Sequence, residues 1–354
     1  MSTVNVGIIG VGNCASSLVQ GLEYYANAGR SAAGLTNEVC AGYGIGDIRF
    51  TAAFDVNTSK IDRDLSDAIW VMPNNALKFA DVSPLGVSVV EGMLSDGVGH
   101  HCAEKIDARG QATVEDVADC LKRTHTHVVV NFLPVGSQQA SELYAEAALQ
   151  AGCAFVNCIP STIARSTEWS AKFAKARVPL IGDDLKSQFG ATVVHYALVE
   201  ALTRNGVHLR HTYQIVSGGN MDFLNMQDAD RIDSKRTSKV QGFGGAALPP
   251  ERVHFGAEYM PYLKDRKIAF IRVEGEAFGG TPLEVELRMS VEDSPSAAGH
   301  VLDAVRYAKC AMDRGVGGVI DSISTLLMKA PRRLMSESDA IAALLSMLEY
   351  QRVR

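Results

Sequence analysis

The 354-residue chain is 47% apolar and 21% charged, an ordinary composition for a soluble globular protein, and its length suggests two domains of roughly 150 residues or more. A formal charge of −6 gives no general basic field. This argues against nucleic acid or an anionic membrane as the main partner, and leaves any anionic ligand to a local cluster of cations.

The cysteines (Cys14, Cys40, Cys102, Cys120, Cys153, Cys158 and Cys310) are scattered, odd in number and free of CxxC spacing, the pattern of reduced intracellular thiols. No basic segment followed by an apolar one opens the chain, and no apolar run approaches the ~18 residues of a membrane span. A cytoplasmic protein is expected. The histidines form no metal-ligating spacing, since His100 and His101 are adjacent and His125-x-His127 begins a strand-like run, so no metal is expected.

In chain order, Val4–Ile9 is a short apolar strand followed by GVGNCASSLVQGL, which places G-x-G-x-x-A at Gly10, Gly12 and Ala15 ahead of an apolar helix. Gly10 permits a tight turn and Gly12 lets the backbone approach a pyrophosphate, while the helix N-terminus supplies free N–H groups and partial positive charge. The acidic residue expected about 20 residues later is displaced by an insertion, residues 24–47, rich in Ala, Gly and Asn. After it, IRFTAAFD reads as a strand ending in Asp55, whose carboxylate suits a ribose hydroxyl and repels a 2′-phosphate, favouring NAD over NADP.

HVVVNFLP, AFVNCIP and VPLIGDD follow as apolar runs typical of parallel strands covered on both faces, separated by helices such as SQQASELYAEAALQAG. Polar residues at their C-terminal ends (Asn131, Ser137, Asn157, Asp183, Asp184 and Lys186) lie where open α/β sheets bind ligands. Asp183 and Asp184 equally suit a helix N-cap and its neighbour.

Beyond a helix over residues 191–202 come longer alternating strands: HLRHTYQIVSG, KIAFIRVEGEAFGG and TPLEVELRMSV. The last two are joined by FGGTP as an antiparallel hairpin. An open sheet of this kind needs its edges paired or covered, which points to a homo-oligomer. Ser294-Pro295 suits the N-cap and first turn of the next helix.

Residues 217–239 collect Asn220, Asp222, Asn225, Lys235 and Lys239. Four apart on a helix, the two lysines would repel unless an anion lies between them or Asp228, Asp230 and Asp233 screen a solvated face. Lys267, in LKDRK with Asp265, and Lys329, in LLMKAP, are further cations without a structural reason. Several ammonium groups around one pocket suit a phosphorylated carbonyl or polyol, neutralising phosphate and a developing enolate or alkoxide. Crowding also lowers a lysine pKa, which allows proton transfer or Schiff-base chemistry.

The ordered set GVGNCASSLVQG, NFLPVGS, GDDLKSQFGAT, GGNMDFLN, SKRTSK, DRK, EDSP and LMKAP resembles the inositol-1-phosphate (myo-inositol-3-phosphate) synthases in their short bacterial and archaeal form, over nearly the whole chain. The resemblance implies an α/β fold: a Rossmann-like NAD-binding domain (1–200, completed by 311–354) with an inserted α+β catalytic and tetramerisation domain (201–310). It implies oxidation of D-glucose 6-phosphate at C5 by bound NAD, enolisation at C6, intramolecular aldol attack on C1, and re-reduction without net redox. Lys235 and Lys239 would contact phosphate and assist proton transfer, and Lys267 and Lys329 would polarise the C5 and C1 oxygens. Asp265 and Asp293 would orient these lysines or the nicotinamide, with Asn220 and Asp222 lining the pocket. The cofactor-binding set is Gly10, Gly12, Asn13, Cys14, Ala15, Asp55, Asn131, Leu133, Pro134, Ser137, Asp183 and Lys186, and a homotetramer is implied. QGFGGAALPP matches no family motif, so an epimeric hexose phosphate giving another inositol phosphate stays open as substrate. An ordinary NAD-dependent dehydrogenase of a phosphorylated substrate, distinguished by net NADH formation, and a non-catalytic NAD sensor are the other readings.

Overall fold

A computed structural model describes residues 3–26, 32–232 and 248–349. The apolar runs of the first half pair as parallel strands: β1 (Val4–Ile9), β4 (Ile48–Asp55), β5 (Val89–Glu91), β6 (Val128–Asn131), β7 (Ala154–Asn157) and β8 (Pro179–Ile181). With β13 (Gly318–Val319) they form a seven-stranded sheet in the order β13-β8-β7-β6-β1-β4-β5. Every residue of β6 and β7 is buried, because helices cover both faces. On one face, α4 (Val114–Arg123), α5 (Gln138–Ala151) and α6 (Thr167–Ala176) bury Leu121, Tyr144 and Phe173 against Val129 and Phe155. On the other, α1 (Asn13–Ala26) and the long α9 (Asp293–Asp313) bury Leu18, Val301 and Val305 against Val6, Val128 and Val156. Each such side chain contributes about 1.5–3 kcal/mol relative to exposure. The order reverses between β1 and β6, so the Gly-rich turn after β1 sits at the topological switch point where doubly wound sheets bind ligands.

The described part of the insertion forms a small hairpin, β2 (Val39–Cys40) with β3 (Tyr43–Gly44). Its anchor is Arg306 of α9, fully buried, whose guanidinium donates to the carbonyls of Asn37 (2.9 Å), Glu38 (3.1 Å) and Tyr43 (3.3 Å) and pairs with Asp303. Short α2 (Leu65–Ala68) and α3 (His100–Ala103) punctuate the first half.

The second sheet has the order β10-β9-β11-β12, from β9 (His208–Gly218), β10 (Val253–Tyr259), β11 (Arg266–Glu276) and β12 (Pro282–Glu292). The hairpin β11–β12 and the pair β9–β11 are antiparallel, while β10 runs parallel to β9. Val216, Ala269, Ile271 and Val273 alternate onto the face that packs with α7 (Ala191–Arg204), joined by Leu209 through a register shift opposite Glu274 and Gly275, whereas Ile215 and Phe270 are 39% and 48% exposed on the other face. Between β9 and β10 lies α8 (Met221–Asn225), and the chain closes with α10 (Asp321–Leu327) and α11 (Glu337–Glu349).

One capping expectation is corrected. α9 begins at Asp293 with Glu292 as N-cap and no side-chain cap, so Ser294 lies inside the first turn. The reason is a remote acceptor: Asp265, just before β11, takes the Ser294 backbone N–H (3.2 Å) and hydroxyl (2.9 Å), so this helix start is satisfied from another segment. Among the described residues no helix is long and apolar enough to cross a membrane.

Candidate active site

The turn after β1 is shaped by two glycines with different needs. Gly10 has φ +85°, and a Cβ there would meet the Phe132 carbonyl oxygen at 2.9 Å, so only glycine fits. Gly12 has nothing within 4 Å of an added Cβ. It therefore leaves an open cradle at the N-terminus of α1, where unpaired N–H groups favour an anion.

Asp55, at the end of β4, accepts from Val11 N (2.7 Å, Oδ2) and Asn57 N (2.8 Å, Oδ1), which ties the second strand's end to the turn. Lys60 is 4% exposed and donates to the Val11 carbonyl (2.7 Å) and Asn74 Oδ1 (3.0 Å), with its Nζ 3.7 Å from Asp55 Oδ2. Sequence reasoning missed Lys60 and Asn74, which sit in no motif and act on the backbone of a distant turn.

At the other end of the cavity, local sequence explains the placement of Asn220. Its Oδ1 caps α8 by accepting from Asp222 N (3.1 Å) and Phe223 N (3.2 Å), while its Nδ2 donates to Asp265 Oδ1 (3.0 Å). Asp265, 2% exposed, also accepts from Asn13 Nδ2 at 2.8 Å. Burial, and then the charge of Asp293, pushes its carboxyl pKa up, against the lowering effect of the donors from Asn220, Asn13 and Ser294.

Lys267 pairs with Asp293 (2.9 Å) and lies 5.9 Å from the centre of the Phe223 ring. Lys329 pairs with Asp184 at 2.9 Å, with side-chain exposures of only 11% and 1%. Two ammonium groups, one on β11 and one in the segment that follows residues 321–327, thus line one cavity, each held by a carboxylate. Such groups can neutralise negative charge as it develops on an oxygen.

That cavity is lined by Gly10, Gly12, Asn13, Cys14, Asp55, Leu133 and Pro134 from the expected cofactor set and by Asn220, Asp222, Lys267, Asp293 and Lys329 from the expected catalytic set. Asp265 lies behind the lining and accepts from Asn13, Asn220 and Ser294. Besides Asp265, five residues of the expected cofactor set lie outside the lining. Ala15 is fully buried in the core under the sheet. Asn131 donates to Ser141 Oγ (3.0 Å) and Asn157 Oδ1 (2.9 Å), and the Ser137 hydroxyl closes a turn onto the Pro134 carbonyl (2.7 Å). Asp183 is fully buried, accepting from Asn157 Nδ2 (2.8 Å) and Ala164 N (2.9 Å) and pairing with Arg165 at 3.2 Å. Lys186 turns onto the carbonyls of Thr325 (2.8 Å) and Leu326 (3.4 Å), and burial brings its pKa down to about 8. Of the adjacent aspartates, Asp184 is the one in the cavity. Lys235 and Lys239 fall outside the described residues.

The Cys14 thiol lines the cavity, but burial and the neighbouring Asp265 and Asp293 raise its pKa to about 12, so it is protonated near neutrality and no nucleophile. Among the described residues no group of three His, Cys, Asp or Glu could hold a metal ion.

The fold and cavity define a Rossmann-like α/β enzyme in which a Gly-rich turn opens onto a lysine–carboxylate pocket. A family model for myo-inositol-1-phosphate synthase matches residues 190–294. The inositol-3-phosphate synthase of Mycolicibacterium smegmatis is 44% identical over 98% of both chains. Among solved structures, the crystal structure of Ari2 superposes with a TM-score of 0.82 at 33% identity, covering 99% of each chain. A myo-inositol-1-phosphate synthase-related protein from Thermotoga maritima gives 0.80 at 25% identity, covering 98% of each. The chain belongs to the inositol-3-phosphate synthase family.

Proposed function

We propose that this enzyme is an isomerase that converts D-glucose 6-phosphate to 1D-myo-inositol 3-phosphate with NAD as an internally regenerated cofactor. Substrate and product are isomers, so any oxidation must be undone within the same turnover. The observation that carries the reading is the opening of the Gly12 cradle and the pairs Lys267–Asp293 and Lys329–Asp184 onto one cavity.

A dinucleotide fits the residues present. The space above Gly12 and the start of α1 suit its pyrophosphate, Asp55 keeps acceptor capacity for a ribose hydroxyl, and Leu133 and Pro134 give an apolar wall. When bound, NAD supplies a hydride acceptor that can return the same hydride. The chain's own groups do the rest. Lys267 and Lys329 neutralise charge on the C5 and C1 oxygens, Asp293 and Asp184 fix those lysines, and Asp265 fixes Asn13, Asn220 and the start of α9. Lys235 and Lys239 hold the phosphate in this reading.

Residues 1–200 and 311–354 make up the NAD-binding part and 201–310 the catalytic part, with α9 linking the two by packing on the first sheet. The exposed face bearing Ile215 and Phe270 supports a homotetramer assembled through the second sheet. Incubation with glucose 6-phosphate and catalytic NAD, followed by phosphorus NMR and absorbance at 340 nm, tests the reaction. An inositol phosphate without lasting NADH is expected; steady NADH accumulation would identify a dehydrogenase instead.

A further inference from the structure

Asn75 touches both halves of the cavity without lining it. Its backbone N–H donates to Asn13 Oδ1 (2.9 Å) and its Oδ1 accepts from Asn13 Nδ2 (2.7 Å). Asn13 is the first residue of α1, at the cradle. The Asn75 Nδ2 donates to the Gly219 carbonyl (3.0 Å), immediately before Asn220. The same Asn13 amide that meets Asn75 also donates to Asp265 Oδ1 at 2.8 Å. Asp265 precedes Lys267 by two residues and receives the N–H of Ser294, the neighbour of Asp293.

The ground on the far side is firm. An added Cβ at Gly219 would meet the Met260 carbonyl oxygen at 2.3 Å, and Gly219 N donates to the Lys264 carbonyl at 2.9 Å. The segment that Asn75 grips is therefore packed against the approach to Asp265. A shift of α1's first residue has no slack to absorb it before it reaches Asp265.

We infer that Asn75 is a positioning residue that couples the occupant of the Gly-rich turn to the sugar-phosphate pocket, so that each ligand tightens the other. The inference rests on the reading that NAD and a sugar phosphate share the cavity. Fixing Asn13 beside a bound pyrophosphate fixes its amide on Asp265, and Asp265 in turn fixes the start of α9 and the approach to Lys267. Linkage makes the effect reciprocal: the factor by which one ligand tightens the other is the same in both directions.

The test is the NAD dissociation constant, read by calorimetry with and without saturating 5-deoxyglucose 6-phosphate, which has no C5 hydroxyl to oxidise. In the wild type the sugar phosphate tightens NAD at least about fivefold, the low end of usual couplings. In Asn75→Ala the factor falls below about twofold. Asn75→Asp, which keeps the acceptor for Asn13 and loses the donor to Gly219, falls between. Coupling at the wild-type factor in Asn75→Ala overturns the inference, as does equal weakening of NAD in both conditions, which is what a merely structural role would give. If Asn75→Ala does not fold, an unchanged factor in Asn75→Asp overturns it equally. A wild type that binds NAD and the sugar phosphate without coupling overturns the inference alone. A wild type that binds no NAD under either condition overturns the cofactor reading instead.

Discussion

Gly10 and Gly12 stand two residues apart and ask opposite things of a methyl group. At Gly10 the left-handed φ and the Phe132 carbonyl oppose any side chain, so Gly10→Ala is expected to lower both stability and cofactor affinity. At Gly12 the methyl enters open space, so Gly12→Ala is expected to keep stability within about 0.5 kcal/mol while weakening NAD binding at least about tenfold. Denaturant titration alongside cofactor titration separates the two. Lys329→Ala removes the partner of a buried carboxylate, and kcat is expected to fall about 100-fold or more while stability also drops by a few kcal/mol. Full activity in that variant would remove Lys329 from the chemistry. Lysines such as Lys267 and Lys329 were legible because each sits in a motif with a carboxylate or proline beside it. Asp183 stands in the expected cofactor set whereas Asp184 lines the cavity, since adjacent identical residues leave no pattern to show which one turns inward. Asn75 and Lys60 were invisible because their partners are 62 and 49 positions away, one a side chain on α1 and the other a backbone carbonyl.

At the scale of elements, β1, β6, β7 and β8 were legible as apolar runs, β4 as a strand ending in Asp55, and β9, β11 and β12 as alternating ones. β5 and β13 are too short to carry a period, and β10 has a glycine at its centre, so tertiary pairing decides all three. The start of α9 was misplaced because its acceptor, Asp265, belongs to a different segment. The junction of β8 with α10 offers a pH test through Lys186. Its pKa is lowered by burial from 10.5 to about 8, so the unfolded chain holds more protons than the folded one between those values. Stability of the wild type relative to Lys186→Met is therefore expected to rise as pH goes from about 8 towards 10.5, and to be flat below. Urea unfolding of both proteins across that range checks the sign, and a fall over the same window would refute it.

For the whole molecule, the two sheets share one cavity but expose themselves differently. The first is covered by helices on both faces, and the second leaves Ile215 and Phe270 uncovered. Phe270→Glu places a charge on that face, and if the proposed homotetramer assembles there, light scattering is expected to show a smaller species for the variant than for the wild type. A wild-type monomer would contradict the assembly.

In the proposed reaction one cavity removes a hydride from the sugar and gives it back. Glucose 6-phosphate carrying deuterium at C5, turned over with catalytic unlabelled NAD, tests this through the deuterium content of the product carbon derived from C5. An inositol phosphate that retains the deuterium is expected, with no lasting absorbance at 340 nm. Loss of the label, or reduced cofactor accumulating in step with substrate consumed, would contradict it.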